Sequence, residues 1–230
     1  MSPSLRPLLI SCLVIILASA ISTPIRAATF TVKNQCGYTV WGAALPGGAK
    51  EMPSGDTWNF DVDPSTSAGR VWGRTGCTSS GSNSLKCTTG DCGGGLFDCG
   101  TNSGAPPLTI AEYTLTNTQD TIDISLVDGF NVPMSFKAAS GCDNTPSCAA
   151  NVLDSCPSDL KVDGGCLSAC NKYNTDEYCC RNQYETNCPP NNYSMIFKNL
   201  CPQAYSYAKD DQTSTFVCPH GTNYVVTFCP

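Results

Sequence analysis

Apolar and polar residues alternate from position 30 and do so again along much of the chain. Phe30, Val32 and Asn34 share one parity while Thr31 and Lys33 share the other, the period of a strand with one buried face. Tyr38–Trp41, Thr57–Phe60 and Arg70–Trp72 are rich in β-branched and aromatic residues, bounded by glycine or proline, and also read as strands. Ala111–Leu115 and Thr121–Val127 predict two more. In the second, Ile122, Ile124 and Leu126 point one way, and Asp123 and Ser125 the other. Asp128-Gly129 then reads as a turn, and Tyr224–Phe228 alternates again. Many short strands punctuated by glycine and proline predict a mainly β fold, a sandwich or barrel.

Two stretches break the pattern. Gly76 to Pro107 is rich in Gly, Ser, Thr and Cys and reads as a loop module held by cross-links. Cys148 to Cys201 is dense in cysteine and carries the best helical signal. There Tyr193, Ile196, Phe197 and Leu200 follow helical spacing, Asn191 or Asn192 could cap, and Pro202 lies just beyond. No internal repeat or long low-complexity linker is present, so these modules read as insertions around one β core. The expected division is a leader over residues 1–27, a β-sandwich core from 28–76, 108–149 and 202–230, a small disulfide-rich loop domain over 77–107, and a helical disulfide-rich domain over 150–201.

The beginning of the chain fixes the expected compartment. Met1–Pro7 carries Arg6, and Leu8–Ile21 is apolar apart from Ser11, Cys12 and Ser19. That run is too short to span a bilayer comfortably, and with its charged start it reads as a secretory signal peptide. Cleavage after Ala18-Ser19-Ala20 fits the small-x-small rule better. Cleavage after Ile25-Arg26-Ala27 leaves Ala28 first and is preferred. No other stretch could cross a membrane, so a soluble, secreted protein is expected.

Of 17 cysteines, Cys12 lies in that leader, which leaves an even number for the mature chain. Such density behind a signal peptide reads as a disulfide framework. A metal site would want matched Cys-x-x-Cys pairs, often with histidine. The chain has one histidine, His220, and no such repeat, so no metal or cofactor is expected. Cys179 and Cys180 are neighbours, about 3.8 Å apart at Cα. Unstrained disulfides want about 4.4–6.8 Å, so each pairs elsewhere. Spacing leaves the remaining connectivity open.

Thirteen Lys and Arg oppose 19 Asp and Glu, and removing Arg6 and Arg26 leaves a net charge of about −8. Nucleic acid and anionic membranes are therefore poor partners. With only 14% charged residues and so many cysteines, the fold should lean on cross-links as well as on its core.

Ala28-Thr-Phe30, Asn34-Gln-Cys36, Tyr38–Trp41, Gly69-Arg-Val-Trp-Gly-Arg-Thr75 and Thr89-Gly-Asp-Cys92-Gly-Gly94 form an ordered set. It continues through Pro106-Pro107, Ala111-Glu-Tyr113, Asp123-Ile-Ser125, Val127–Pro133, Tyr178-Cys-Cys180, Cys201-Pro202, Ala204–Tyr207 and Phe228-Cys-Pro230. Each motif alone is weak, but together they span Ala28 to Pro230, and the chain resembles the thaumatin-like family of plant defence proteins. The resemblance implies a β-sandwich, a helix-bearing domain and a small loop domain. It also implies the pairs Cys36–Cys229, Cys77–Cys87, Cys92–Cys99, Cys142–Cys218, Cys148–Cys201, Cys156–Cys166, Cys170–Cys179 and Cys180–Cys188.

The resemblance further implies an acidic cleft made from Arg70, Glu112, Asp123, Asp128 and one of Asp210 and Asp211, with Asp211 preferred. Clustered carboxylates in a groove raise at least one pKa, and an arginine can hold another ionised and oriented. Such a set offers acceptors for sugar hydroxyls and one proton donor. The plainer reading is that strand-end aspartates only satisfy turns and backbone donors. Asp123 and Asp128 are five residues apart, so the chain must bend for both to share a cleft.

The function expected from the resemblance is that of a monomeric, apoplastic, antifungal protein that binds fungal wall β-1,3-glucan. One alternative is weak endo-β-1,3-glucanase activity, with Glu112 as acid and Asp128 as base or nucleophile. Another is an interaction role, inhibiting a foreign hydrolase or engaging fungal surface proteins. Family members also include allergens and sweet-tasting proteins, and the acidic charge argues against sweetness. Some vacuolar members extend past the final Cys-Pro, whereas this sequence stops at Cys229-Pro230, in favour of the extracellular space. His220 reads as a loop residue and could serve a Ser-His-Asp triad only by sitting in one. Tyr113, Phe130, Tyr205 and Tyr207 could stack on sugars but fit core positions better. Asn192-Tyr-Ser194 is a glycosylation sequon that overlaps the helix cap.

Overall fold

A computed structural model describes residues 27–81 and 83–230, so the expected leader lies outside the described residues except for Ala27. The chain forms strands β1 (Ala28–Asn34), β2 (Val40–Leu45), β3 (Gly48–Met52), β4 (Thr57–Val62) and β5 (Gly69–Arg74). A small hairpin follows, β6 (Thr78–Gly81) and β7 (Ser84–Lys86), then β8 (Ile110–Leu115), β9 (Gln119–Ser125), β10 (Met134–Ala138) and β11 (Ser147–Cys148). The next region holds the ribbon β12 (Lys161–Val162) and β13 (Gly165–Cys166), with helices α1 (Ala169–Tyr173), α2 (Asp176–Cys179) and α3 (Asn192–Leu200). Helix α4 (Asp211–Ser214) and strands β14 (Phe216–Pro219) and β15 (Tyr224–Phe228) complete the fold.

Two sheets share one core. The first runs β11-β10-β15-β1-β4, and the second β14-β9-β8-β5-β2-β3. β1 lies parallel to β15, with Phe30 opposite Tyr224, and antiparallel to β4. Phe30 reaches across to Tyr113 of the second sheet at 4.4 Å between ring centroids, and to Tyr224 at 5.2 Å within its own. All three rings are buried. This inter-sheet packing requires Gly69, because a Cβ there would lie 2.1 Å from the Tyr113 ring.

The alternation in β9 works as the sequence implies. Ile122 and Ile124 are fully buried, and Leu126 beyond the strand is buried with them. The strand itself stops at Ser125, two residues short of the expected Val127. There the chain bends, and the Gly129 amide donates to the Leu126 carbonyl at 2.9 Å. Gly129 takes φ +91°, and a Cβ would stand 2.4 Å from the Cys166 carbonyl oxygen, so glycine fits this turn. β2 likewise starts at Val40, leaving Tyr38 exposed. Asn34, on the buried parity of β1, donates to the carbonyls of Tyr38 at 2.9 Å and Met52 at 2.7 Å. It ties the β1–β2 connection and β3 to the sheet edge and thereby satisfies its own buried amide.

The stretch expected as loop carries the β6–β7 hairpin. It docks on the second sheet through Arg74, which is 1% exposed. Arg74 donates to the carbonyls of Trp41 and Leu96, each at 3.3 Å, and lies over the Phe97 ring. Burial lowers its pKa to about 10, with Asp91 and Asp98 opposing the shift.

Eight disulfides join Cys36 to Cys229, Cys77 to Cys87, Cys92 to Cys99, Cys142 to Cys218, Cys148 to Cys201, Cys156 to Cys166, Cys170 to Cys179, and Cys180 to Cys188. In the helical region the cap of α3 is Asn191. Its side chain accepts from the Ser194 amide at 3.0 Å, while the Ser194 hydroxyl accepts from the Asn191 amide at 2.9 Å. Asn192 is the first residue of the helix and is exposed. The short helices α1 and α2, capped by Ser168 and Thr175, carried no clear sequence signal.

Candidate functional site

Strand register builds the site. Arg70 on β5 is paired with Glu112 on β8, and Glu112 is paired with Asp123 on β9. Directly paired residues on neighbouring strands project to the same face, so three charged side chains form one row. Arg70 Nη2 lies 3.4 Å from Glu112 Oε1, and Arg70 Nη1 donates to Ser103 Oγ at 2.9 Å. Asp128 joins the row from the turn after β9, because the chain leaves the strand at Ser125. Arg70, Glu112, Asp123 and Asp128 line one open groove of about 390 Å³. Ser125, Val127, Tyr205 and Ala208 complete its wall.

The charges in the row are not equivalent. Burial pushes Asp123 up to about 8, and the neighbouring carboxylates of Glu112 and Asp211 push it the same way. Its Oδ1 is buried without a partner among the described residues. Burial also raises Glu112, with Asp128 adding to the shift, while the Arg70 guanidinium and the Ser125 hydroxyl pull it down. Glu112 thus has Arg70 beside it, whereas nothing positive offsets Asp123.

Asp210 and Asp211 have different roles. Asp210 is buried, with its Oδ2 2.9 Å from Lys198 Nζ. It accepts from the Ser206 amide and hydroxyl at 3.0 and 2.9 Å, and from the Thr213 hydroxyl at 3.1 Å. Asp210 is therefore a packing hub. Asp211 is exposed and accepts from the Tyr205 hydroxyl at 2.9 Å, and Tyr205 belongs to the groove wall. Asp211 reaches the site through that phenol and through its field on Asp123.

The other candidates separate as cleanly. Tyr113 and Phe130 are core residues, Tyr205 lines the groove, and Tyr207 is half-buried. His220 is exposed, with its Nδ1 2.6 Å from the Thr116 carbonyl oxygen. The nearby Ser65 hydroxyl donates to Asp63 at 2.5 Å, so neither group is paired with the other as a serine–histidine couple would be. No three of His, Cys, Asp and Glu among the described residues converge closely enough to hold a metal ion. Ser103 and Ser125 join the site without having been singled out as site residues. Ser125 shares the parity of Asp123 and was legible from it, whereas Ser103 arrives from a loop 33 residues beyond Arg70 and had no local signal.

Chemically, the row presents a fixed cation, ionisable carboxylates and one carboxyl that keeps its proton at neutral pH. It can accept hydrogen bonds from several hydroxyls and donate one.

Comparison with known proteins places this architecture. The profile described as "Thaumatin family" matches residues 34–230. The pathogenesis-related 5 protein Jun a 3.0101 of Juniperus ashei is 57% identical over 201 residues, covering 87% of this chain and 88% of that protein. Zeamatin of Zea mays is 51% identical over 210 residues, covering 89% of each chain. Among solved structures, the laminaripentaose-producing β-1,3-glucanase of Paenibacillus barengoltzii, in complex with laminarihexaose, superposes with a TM-score of 0.57 at 12% identity. It covers 92% of this chain and 78% of that one, a likeness of fold.

Proposed function

The chain belongs to the thaumatin family, beside pathogenesis-related plant proteins, and from that membership we propose a secreted defence protein that binds a cell-wall β-1,3-glucan through the groove. The observation that carries this reading is the row Arg70–Glu112–Asp123 on three adjacent strands, with Asp128 closing it from a turn. A glucan chain is neutral and bears many hydroxyls. Carboxylates take its donors, Asp123 and Arg70 serve its acceptors, and charged hydrogen bonds are stronger than neutral ones. The groove is open and polar, which suits a polysaccharide better than a small apolar ligand. The disulfide framework and the expected leader support the extracellular space of a plant.

The test is co-sedimentation of the oxidised protein with insoluble β-1,3-glucan, for wild type and for Arg70→Gln combined with Asp128→Asn. Wild type should pellet and the double variant should stay in the supernatant. A wild type that remains soluble, or a variant that pellets equally, removes this reading.

Hydrolysis of the same polymer is the second reading, favoured by one observation. A carboxyl that keeps its proton to about pH 8, beside other carboxylates, is what a glycosidic proton donor requires. Asp123 takes that part in place of Glu112, with Asp128 as base or nucleophile.

A further inference from the structure

Outside the groove's lining, three tyrosines gather on the cysteine-rich region. Tyr173 ends α1, Tyr178 lies in α2, and Tyr193 is in the first turn of α3. Their centroids are 5.3 Å apart for Tyr173–Tyr178, 5.5 Å for Tyr173–Tyr193, and 5.9 Å for Tyr178–Tyr193. Ordinary aromatic packing accounts for those distances. It does not account for the oxygens. The phenol oxygens of Tyr173 and Tyr193 are 2.7 Å apart, and both hydroxyls donate to the same atom, Asp159 Oδ2, from Tyr193 at 2.6 Å. Tyr173 is 37% exposed, so small oxidants can reach the pair.

We propose that Tyr173 and Tyr193 are a built site for oxidative coupling, which a haem peroxidase with hydrogen peroxide converts to an intramolecular dityrosine. The phenol oxygens are 2.7 Å apart and the ring centroids 5.5 Å, so the two rings converge at their hydroxyl ends, and the carbons ortho to those hydroxyls are the atoms that join in a biaryl link. Each phenol loses one electron to the peroxidase and its hydroxyl proton by way of Asp159. Hydrogen bonds from both phenols hold the Asp159 carboxyl below the usual range, so it is an ionised acceptor. The two phenoxyl radicals form one carbon–carbon bond. The ortho hydrogens then move to the oxygens as aromaticity returns. In total, two phenols and one hydrogen peroxide give one dityrosine and two waters.

The link would join α1 to α3, which none of the eight disulfides does directly. Cys170–Cys179 and Cys180–Cys188 close short local loops, and Cys148–Cys201 ties the far end of α3 to β11. Tyr178 is as near in space, but its hydroxyl shares neither the oxygen contact nor the carboxylate, and it is the internal control.

The experiment treats the purified, oxidised protein with a haem peroxidase and hydrogen peroxide, then reads dityrosine fluorescence and intact mass. The expected product is a monomer lighter by two hydrogens. After reduction, alkylation and trypsin, cleavage at Lys172, Arg181 and Lys198 releases residues 173–181 and 182–198 as separate peptides unless the rings are joined. Fragment ions should place the link on Tyr173 and Tyr193. Tyr178→Phe and Tyr184→Phe should form it as wild type does. Tyr173→Phe and Tyr193→Phe, each checked by its melting curve, should lose it. Asp159→Asn should form it several-fold more slowly. A link on Tyr178 or Tyr184, covalent dimers in place of the modified monomer, or coupling that survives in Tyr173→Phe overturns the proposal. An unchanged rate in Asp159→Asn overturns the part given to the carboxylate.

Discussion

Asp123 stands directly across the β8–β9 pair from Glu112, and only Glu112 has a cation on its far side. The proton follows from that asymmetry, and so does a dependence of stability on pH. Asp123 titrates near 8 in the folded chain and near 3.9 in an unfolded one. Between those values the native state holds a proton that the unfolded state has released, so stability falls as pH rises through the window. Asp123→Asn removes the titration. Each pKa unit amounts to about 1.4 kcal/mol at most, and 1 kcal/mol moves Tm by about 2–4 °C at this chain length. Between pH 5 and pH 8, wild type should therefore lose several degrees relative to Asp123→Asn. Parallel Tm curves across that range would place the proton on another group.

Asp210 and Asp211 give a paired test. Asp210→Asn leaves Lys198 without its partner in a largely buried site and should cost about 3 kcal/mol. Asp211→Asn should leave urea unfolding within experimental error of wild type. It should also weaken glucan co-sedimentation and lower the Asp123 pKa, by removing the negative charge beside Asp123 and leaving the Tyr205 hydroxyl a neutral, weaker acceptor. The reverse pattern would assign the groove to Asp210.

Cleavage of a linear β-1,3-glucan is expected to be weak. Reducing ends released by wild type should disappear in Asp123→Asn and fall in Glu112→Gln, and the wild-type rate should decline above about pH 8 as Asp123 ionises. Equal release by all three proteins would assign the cleavage to a contaminant and leave the chain a binder.

Loop length ranks the cross-links. Cys36 and Cys229 are 193 residues apart, and Cys180 and Cys188 are 8 apart. Cys142–Cys218 already shortens the large loop, which leaves roughly three-fifths of it to be closed. By loop-closure entropy, Cys36→Ala with Cys229→Ala should cost about 2 kcal/mol more than Cys180→Ala with Cys188→Ala. Cys92–Cys99 makes a poorer comparison, because Arg74 Nη1 rests 3.7 Å from both of its sulfurs. Equal melting temperatures for the two double variants would refute the entropic ranking.

Much of the fold was legible where one face of an element is buried. The parity of Ile122 and Ile124 against Asp123 and Ser125, and the spacing of Tyr193, Ile196, Phe197 and Leu200, both describe the structure. β3 was not legible, because Gly48–Met52 is an edge strand whose Lys50 turns to the Thr57 carbonyl and Asp56. Met134, Phe136 and Ala138 do alternate, but the run is too short to stand out beside Pro133. The groove's membership came from the family resemblance, since no spacing brings Arg70, Glu112 and Asp123 into one row without the strand order. Nor could adjacent aspartates be told apart before Lys198 was in place beside one of them. The different surroundings of Glu112 and Asp123 were hidden for a similar reason: intrinsic pKa is a property of the residue, whereas burial and Arg70 belong to the assembled site.

β15 lies between β1 and β10, at the centre of its sheet. Tyr224, Val226 and Phe228 are therefore interior residues of the sandwich, yet they leave the ribosome after almost all the rest of it. Until they arrive, β1 lacks its parallel neighbour and Cys36 lacks its partner sulfur. The first sheet thus cannot close before β15 has been made. The emerging chain has to be kept from pairing wrongly, in thiols and in strand edges alike, until β15 slots into the gap.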